Sequence, residues 1–300
     1  MRFKKFLAVV SALCMVCAVV PFSEKYIPET VISASAENEE YIYENFKYKK
    51  YSYSENFIIS DTGEFLPTET TYVVSITGVI DKEITEANIP AEIDGLPVTS
   101  IGYFAFRDCS SLTSVTIPNS ITTIDDYAFD GCPLTAITIP DSVTSIGNHA
   151  FDRCALTAVT IPDSVTSIGL QAFRCCSNLT FVTIPESVTN IEGGAFDETP
   201  WLKAKQEENP LVIVNHILID GKTCSGDVII PDSVTEIGGY AFQGCSALTS
   251  VIIPDSVTYI GPSAFGSCHN LTSVTIPDSV TYIGHEAFDY SSLTSVTIPD

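Results

Sequence analysis

The chain repeats one arrangement of apolar and polar positions about every 22 or 23 residues, from residue 89 to its end. The pair Ala-Phe marks this period, since its phenylalanine recurs as Phe106, Phe129, Phe151, Phe173, Phe196, Phe242, Phe265 and Phe288. The one long interval, from Phe196 to Phe242, equals two periods of 23 residues. Periods of this length are typical of solenoids, in which each repeat forms one coil and stacked coils share a continuous core.

Each repeat reads approximately L-T-x-V-T-I-P-D-S-V-T-x-I-G-x-x-A-F-x-x-C. The alternating, β-branched V-T-I predicts a short strand, and the following proline ends it because proline has no backbone N–H. Asp-Ser then predicts a turn. The Val, Ile, Ala and Phe of the second half point inward and form the far wall of the coil. The pattern therefore predicts a β-rich repeat solenoid of 22- to 23-residue coils whose V-T-I strands form one parallel β-sheet.

The repeat resembles the BspA-like leucine-rich repeats of bacterial secreted and surface proteins. The segment IPDSVTSIGNHAFDRCAL, residues 139–156, carries the signature almost intact, and residues 253–271 carry it again. The resemblance covers residues 89–300. It implies a leucine-rich-repeat solenoid of the α/β horseshoe type and a role in adhesion or protein binding. It implies no particular ligand, because this scaffold serves many proteins.

The N-terminus has the features of a secretory signal peptide. A basic head at residues 2–5 precedes an apolar run at residues 6–20, which is too short to cross a bilayer comfortably. Small residues at 34–36 supply a cleavage motif, so we predict a signal peptide over residues 1–36 with cleavage after Ala36. The chain is therefore expected to be secreted or at the cell surface, with no membrane insertion after cleavage.

Residues 37–88 contain strand-like runs rich in Tyr and Thr, and we interpret them as a β-rich N-terminal cap for the open end of the core. A binding surface built from the tyrosines is the alternative, since aromatic residues concentrate at interfaces. At the other end the chain stops in mid-repeat at Asp300, so we expect the C-terminal part of the protein to be missing.

The repeat is interrupted by an irregular insert at residues 199–230. Thr199 and Pro200 predict a helix with threonine as N-cap and proline at the first helical position. The runs LVIV and ILI, joined at Asn215-His216, predict a hairpin. The insert is either a tolerated loop or a ligand-contacting protrusion, and it contains the only tryptophan, Trp201.

The net charge excludes two classes of partner. Acidic residues number 37 against 14 basic residues, which gives a formal charge of −23. A nucleic-acid partner is excluded because no basic footprint is available to neutralise phosphates. The same argument excludes an electrostatic attraction to anionic lipid, and the acidic excess favours solubility outside the cell.

No set of reactive residues converges into a catalytic or metal-binding motif. Cysteine recurs at one repeat position, which predicts a column of small buried free thiols, with disulfides between adjacent coils as the alternative; the column is Cys109, Cys132, Cys154, Cys176, Cys245 and Cys268. The four histidines occupy different repeat positions. His149 and Asp152 are replaced by Gln171 and Arg174 one coil later, so we interpret them as variable surface. We predict no enzymatic activity and no cofactor.

A row of acidic residues follows the proline of successive repeats. Its members are Asp141, Asp163, Glu186, Asp232, Asp255 and Asp278. Stacked carboxylates repel one another, and bound calcium is one remedy. The alternative is plain turn capping by the side chains.

The outward positions of the V-T-I strands predict a smooth face lined by hydroxyl groups. We propose this face, together with Trp201, as the ligand-binding surface; its candidates are Ser114, Thr116, Thr138, Thr160, Phe181, Thr183, Ser273 and Thr275. The alternative is that Ser and Thr are present only for their β-propensity.

The sequence therefore predicts a secreted or surface-displayed binding protein that mediates adhesion or protein–protein interaction. Its expected partner is an extracellular protein of a host, a matrix or a bacterial surface, or a glycan. Two alternatives stay open: a non-catalytic targeting or assembly module of an extracellular polysaccharide-degrading complex, and the binding region of a longer enzyme.

Overall fold

The computed structural model of the chain describes residues 33–36, 39–54, 57–59, 65–67, 71–294 and 296. Residues 1–32 of the predicted signal peptide and residues 297–300 of the final repeat lie outside the described residues. The strands of the N-terminal region are β1 (Ser33–Ala36), β2 (Tyr41–Tyr43), β3 (Phe46–Ser54), β4 (Phe57–Ile59), β5 (Phe65–Pro67), β6 (Thr71–Val79), β7 (Glu86–Asn88), β8 (Glu92–Ile93) and β9 (Leu96–Ile101).

Strand β3 organises the N-terminal region, since it pairs antiparallel with β1, β2 and β6. Strand β6 then pairs in parallel with β9 and so joins these strands to the repeats. The predicted cleavage position after Ala36 directly follows β1. Processing there stays a prediction, and it would remove a strand that pairs with β3.

The repeats contain short strands and one helix among the described residues. In chain order the strands are β10 (Ser114–Thr116), β11 (Thr123–Ile124), β12 (Ser145–Ile146), β13 (Ala158–Thr160), β14 (Ser167–Ile168), β15 (Phe181–Thr183), β16 (Asn190–Ile191), β17 (Val212–Val214), β18 (Ile217–Asp220), β19 (Gly226–Ile229), β20 (Glu236–Ile237), β21 (Leu248–Ile252), β22 (Tyr259–Ile260), β23 (Ser273–Thr275) and β24 (Tyr282–Ile283). The helix is α1 (Pro200–Glu208).

The predicted solenoid with parallel strands is confirmed, with about nine turns. The V-T-I strands form the first row, whose exposed side we name the strand face. In this row β7 pairs with β10, β13 with β15, β19 with β21, and β21 with β23. The structure adds a second row at the x-I positions of the repeat, in the order β9, β11, β12, β14 and β16, and then β18, β20, β22 and β24. The first row is interrupted, because residues 136–140 form no strand and α1 replaces a strand between β15 and β19.

Stacked phenylalanine rings fill the interior of the coils. Ring centroids are 5.4 Å apart between Phe129 and Phe151, and 5.3 Å apart between Phe151 and Phe173. These three side chains are fully buried, and burial of one such side chain contributes roughly 2–3 kcal/mol. The Phe151 N–H also donates to the Ala172 carbonyl of the next coil at 2.8 Å. Ring stacking and backbone hydrogen bonding therefore set the same spacing.

The cysteine column is buried, and its thiols are free, as predicted. The Cys154 Sγ donates to the Phe129 carbonyl at 3.2 Å, and the Cys176 Sγ donates to the Phe151 carbonyl at 3.1 Å. Burial raises the pKa of Cys176 to about 12. These thiols act as small packing groups that also satisfy a carbonyl of the preceding coil.

The insert forms the helix and the hairpin that its sequence predicts. Thr199 is the N-cap of α1, since its Oγ accepts from the Leu202 N–H at 3.1 Å, and Pro200 occupies the first turn. Strands β17 and β18 form the antiparallel hairpin. Asn215 and His216 connect them with φ values of 46° and 67°, the left-handed conformation that a two-residue type I′ turn requires.

The core divides into two hydrophobic clusters at this insert, one ending at Ile217 and the other beginning at Leu218. Trp201 covers the last ring of the first phenylalanine column, with its ring centroid 4.9 Å from that of Phe196. On the far side of the insert, a Cβ at Gly221 would lie only 2.3 Å from the Phe242 ring. The insert therefore closes one aromatic column and begins the next.

We predict that the close approach of the preceding coil makes any side chain at position 169 destabilising. A Cβ at Gly169 would lie 2.6 Å from backbone atoms of both Gly147 and Asn148 in the preceding coil. We expect Gly169→Ala to lower the free energy of unfolding by about 2–3 kcal/mol, measured by equilibrium urea unfolding. Gly244→Ala is the matched control, since its φ is 73° but nothing lies within 4 Å; it should lose only about 1 kcal/mol. An equal loss in both variants would contradict the steric explanation.

We also predict that Asp125 makes stability depend on pH. Burial, with a smaller contribution from the charge of Asp126, raises the pKa of Asp125 to about 7 from its ordinary value of 3.8. Its contribution is therefore most favourable below pH 4 and is lost as the pH rises through 7. Asp125→Asn should raise the free energy of unfolding at pH 8 by about 1–2 kcal/mol, and this gain should be clearly smaller at pH 5 because the folded carboxyl is then protonated.

Thermal unfolding of both proteins at several pH values from 5 to 8 measures this difference. Asp141→Asn is the control, because Asp141 is exposed, and it should show no such pH-dependent gain. A gain from Asp125→Asn that is equal at pH 5 and pH 8 would contradict the assignment.

Candidate binding surfaces

The strand face exposes the side chains that alternation along the strands predicts. Ala158 and Phe181 are register partners in β13 and β15, and so are Thr160 and Thr183. The eight proposed residues of the face are all exposed, namely Ser114, Thr116, Thr138, Thr160, Phe181, Thr183, Ser273 and Thr275. Phe181 is 60% exposed in a row that otherwise carries small residues. Thr138 shares the exposure although its coil forms no strand.

Trp201 does not belong to this surface, and its assignment as a ligand-binding residue is wrong. Only 8% of the residue is exposed. The backbone N–H of Trp201 donates to the Leu179 carbonyl at 2.8 Å, and the indole ring covers Phe196. The first turn of α1 thus directs Trp201 inward, because the phenylalanine column needs a cover where the repeat breaks.

Two exposed isoleucines lie on the strand face and were missed by the sequence reasoning. Ile229 is 70% exposed and Ile252 is 52% exposed. They are register partners in β19 and β21, and Ile252 is in turn the partner of Thr275. The available signal was the replacement of V-T-I by V-I-I in these two coils. We name Ile229 and Ile252 the isoleucine patch.

Asp227 lies beside the isoleucine patch, two residues before Ile229 on the same strand. Its Oδ1 accepts from the hydroxyls of Ser250 at 2.6 Å and Thr249 at 2.9 Å. These two hydrogen bonds, the one from Ser250 first, lower the pKa of Asp227. Asp227 is therefore ionised at neutral pH and adds a fixed negative charge to the strand face.

The acidic row after the prolines distributes its carboxylates over successive coils. Its six members are exposed, one in each of six coils. Within the described part of the chain, no group of three His, Cys, Asp or Glu side chains is close enough to hold a metal ion. The turns are instead closed by the backbone, as in the bond from the Val143 N–H to the Pro140 carbonyl at 3.0 Å. The neighbouring Ser142 Oγ donates to the Ile121 carbonyl of the preceding coil at 2.6 Å.

A second polar surface runs along the coils beside the Ala-Phe pairs, and two of its carboxylates are nearly buried. Asp130 is 2% exposed and lies 2.8 Å from the Arg153 guanidinium and 3.1 Å from that of Arg107. Asp152 is 5% exposed, and its Oδ2 lies 3.1 Å from the His149 Nδ1. The interpretation of His149 and Asp152 as variable surface is therefore wrong for Asp152, since a buried carboxylate requires its partners.

Aromatic rings form a stack at the outer edge of the first coils. The rings of Tyr127 and His149 are 4.5 Å apart and nearly parallel at 8°. Tyr103, which is 56% exposed, contacts Tyr127 edge-on at 5.9 Å. The Arg107 guanidinium lies over the Phe104 ring at 4.8 Å. We name these residues the aromatic edge, and it combines planar apolar faces with a cation.

The other three histidines are separate from one another and from the aromatic edge. His216 Nδ1 lies 2.8 Å from the Ser233 carbonyl, and His269 Nδ1 lies 3.0 Å from the Tyr290 carbonyl. His285 is exposed beside Glu286.

Within the described ranges, the nine-residue α1 is the only helix, so none reaches the length needed to cross a bilayer.

The chain is similar to several solved leucine-rich-repeat structures, and the first of them supports the fold. A leucine-rich repeat protein from Eubacterium ventriosum ATCC 27560 is 22% identical with a TM-score of 0.50, over 88% of this chain and 72% of that one. One from Bacteroides ovatus ATCC 8483 is 26% identical with a TM-score of 0.41, over 86% and 82%. A leucine rich cell surface protein from Faecalibacterium prausnitzii A2-165 is 23% identical with a TM-score of 0.35, over 88% and 83%.

No curated protein matches the chain. The family model of the BspA type leucine-rich repeat region, in contrast, matches residues 99–217 and 221–300 in six copies. These ranges contain all eight periodic phenylalanines, the cysteine column and, apart from β18, both rows of strands from β10 onward. The chain therefore belongs to the BspA-type leucine-rich-repeat family.

Proposed function

We propose that the chain is a secreted or surface-displayed binding protein that engages an extracellular protein through its strand face. The observation that carries this proposal is the exposure of large apolar side chains among the hydroxyl groups of that face. Phe181, Ile229 and Ile252 expose 60%, 70% and 52% of their surface. Apolar side chains in such positions add nothing to the core, and they are typical of the centre of a protein interface.

The mechanism that fits this surface is additive contact over several coils. Serine and threonine hydroxyls supply hydrogen bonds at regular spacing, and the exposed apolar side chains supply desolvated anchors. The backbone beneath Phe181, Ile229 and Ile252 is paired with the strand of at least one neighbouring coil, so little conformational entropy is lost when a partner binds. Membership of the family and the predicted signal peptide both support a location outside the cell.

A glycan ligand, as in the polysaccharide-directed alternative, is favoured by one observation, the aromatic edge. Tyr103 exposes 56% of its surface beside the stacked rings of Tyr127 and His149, and an exposed aromatic ring suits stacking against a sugar ring. The same rings also stabilise one another and cover Arg107, which explains their presence without a ligand. We therefore place the protein-binding function first.

Arrays of immobilised extracellular-matrix proteins, bacterial surface proteins and plant and microbial polysaccharides test this proposal with the fluorescently labelled chain. We expect binding to one or more proteins and a loss of at least about fivefold in affinity for Phe181→Ala, because a central anchor is removed. Alanine is the residue at the register partner Ala158, so the strand should keep its fold. An unchanged urea midpoint confirms that the loss is one of contact.

Tyr282→Ser is the matched control, because Tyr282 is also an exposed aromatic residue but lies on the second row of strands. Its affinity should stay within about twofold of the original chain. Binding only to polysaccharides, abolished by Tyr127→Ala, would support the glycan alternative instead. Absence of binding to both classes would contradict both functions.

A further inference from the structure

The isoleucine patch lies in a part of the chain that contains no cation. Residues 223–300 include eight aspartates or glutamates and neither lysine nor arginine. Lys222, the nearest cation in the sequence, is held by Asp197 at 2.7 Å and by Asp220 at 3.5 Å. No lysine or arginine of residues 223–300 is therefore available to neutralise the carboxylates beside the patch.

Acidic groups stand on both sides of the patch, one on strand β19 before Ile229 and three beyond the strand ends. Asp227 precedes Ile229 by two residues and faces the same side of the sheet. Beyond the strand ends, Asp232, Asp255 and Asp278 are exposed on three successive coils. Strands in register are about 4.8 Å apart, so these three carboxylates form a short row parallel to the pair of isoleucines. We name them the acidic rim.

We propose that the isoleucine patch and the acidic rim together bind an extended, cationic segment of a partner protein. An apolar side chain of that segment packs across both isoleucines, and its lysine or arginine side chains lie beside the rim and Asp227. This assignment rests on the proposed function and specifies the chemistry of the partner. Charge complementarity carries it, because a cationic segment is the occupant that removes apolar surface from water and compensates the uncompensated carboxylates.

A second copy of the chain is a poor occupant for the same surface. Face-to-face association of two copies would place two acidic rims and two Asp227 carboxylates close together, with no cation from residues 223–300 between them. Like charges brought together at an interface repel one another and oppose association. The two isoleucines alone would have to offset this repulsion.

Three fluorescein-labelled peptides of twelve residues test the proposal with the full chain. One alternates Lys with Val, one alternates Glu with Val, and one alternates Lys with Ser. Fluorescence anisotropy should show the tightest binding for the Lys-Val peptide. The double variant Ile229→Thr, Ile252→Thr should weaken that binding at least about tenfold, because the apolar contact is lost. Threonine already occupies this position in several coils, as at Thr116 and Thr183, so the variant should keep its urea midpoint.

The contribution of charge is tested separately with two matched variants. Asp232→Asn, Asp255→Asn and Asp278→Asn together remove the rim, and we expect a loss of at least about tenfold with a weaker dependence on salt. The control variant removes the same number of charges through Asp141→Asn, Asp163→Asn and Glu186→Gln, which belong to the same acidic row but flank coils without exposed isoleucines. It should bind the Lys-Val peptide within about twofold of the original chain.

Three outcomes would overturn the proposal. Equal losses in the rim variant and its control would mean that the peptide responds to overall charge alone. Equal binding of the Lys-Val and Lys-Ser peptides would remove the role of the isoleucines. A dimer in analytical ultracentrifugation that Ile229→Thr, Ile252→Thr dissociates would assign the patch to a second copy. These three outcomes do not depend on the array experiment. Failure of the peptide experiment would not contradict the proposed function, and failure of the array experiment would leave the peptide result intact.

Discussion

The fixed distance between coils is the constraint on which this structure depends. Strands in register lie about 4.8 Å apart, and stacked aromatic rings prefer a similar separation. Phe129 and Phe151 meet at 5.4 Å while the backbone of Phe151 bonds to the next coil at 2.8 Å. Each buried residue therefore rests on its counterpart in the adjacent coil. A buried position can change only together with its neighbours, which is why the phenylalanine and cysteine columns keep one residue type.

The same constraint leaves the exposed positions free and makes buried charge costly. Asp130 and Asp152 stand at one position of successive coils, and like charges repeated at coil spacing repel one another. The chain compensates them with arginine side chains from the next coil, as Arg153 does for Asp130 at 2.8 Å and Arg174 for Asp152 at 3.8 Å. This ion-pair system requires the partners to co-occur across coils. The strand face carries no such requirement, so its residues are free to serve a ligand.

The regular parts of the fold could be predicted from the sequence because their signals are local or periodic. The Ala-Phe period predicts the coils, and Thr199-Pro200 predicts the start of α1, which the structure confirms. Trp201 was misplaced because its direction depends on the broken phenylalanine column, which is a contact between coils. The second row of strands was missed because each of its regular members has only two residues at the x-I position, too few for alternation to reveal.

The candidate site was predicted only in part, for a related reason. The hydroxyl side chains were placed on the strand face by alternation, and the structure finds them exposed. Ile229 and Ile252 were overlooked because three apolar residues in succession suggest a buried strand, and only the register shows that the middle one points outward. The burial of Asp152 was also missed, since a single repeat does not reveal which arginine of the next coil will reach it.

The insert gives the strand face two parts with different surface chemistry. Before it, Phe181 stands alone among small residues, and all 14 basic residues of the chain lie at or before Lys222. After it, the isoleucine patch lies among hydroxyl groups in residues 223–300, which contain aspartate and glutamate but neither lysine nor arginine. Because α1 occupies the place of a strand between β15 and β19, the two parts do not form one continuous sheet. A partner that contacts both parts must therefore offer an apolar pocket to the first and a cationic segment to the second, and that double requirement is a source of specificity that a uniform repeat would lack.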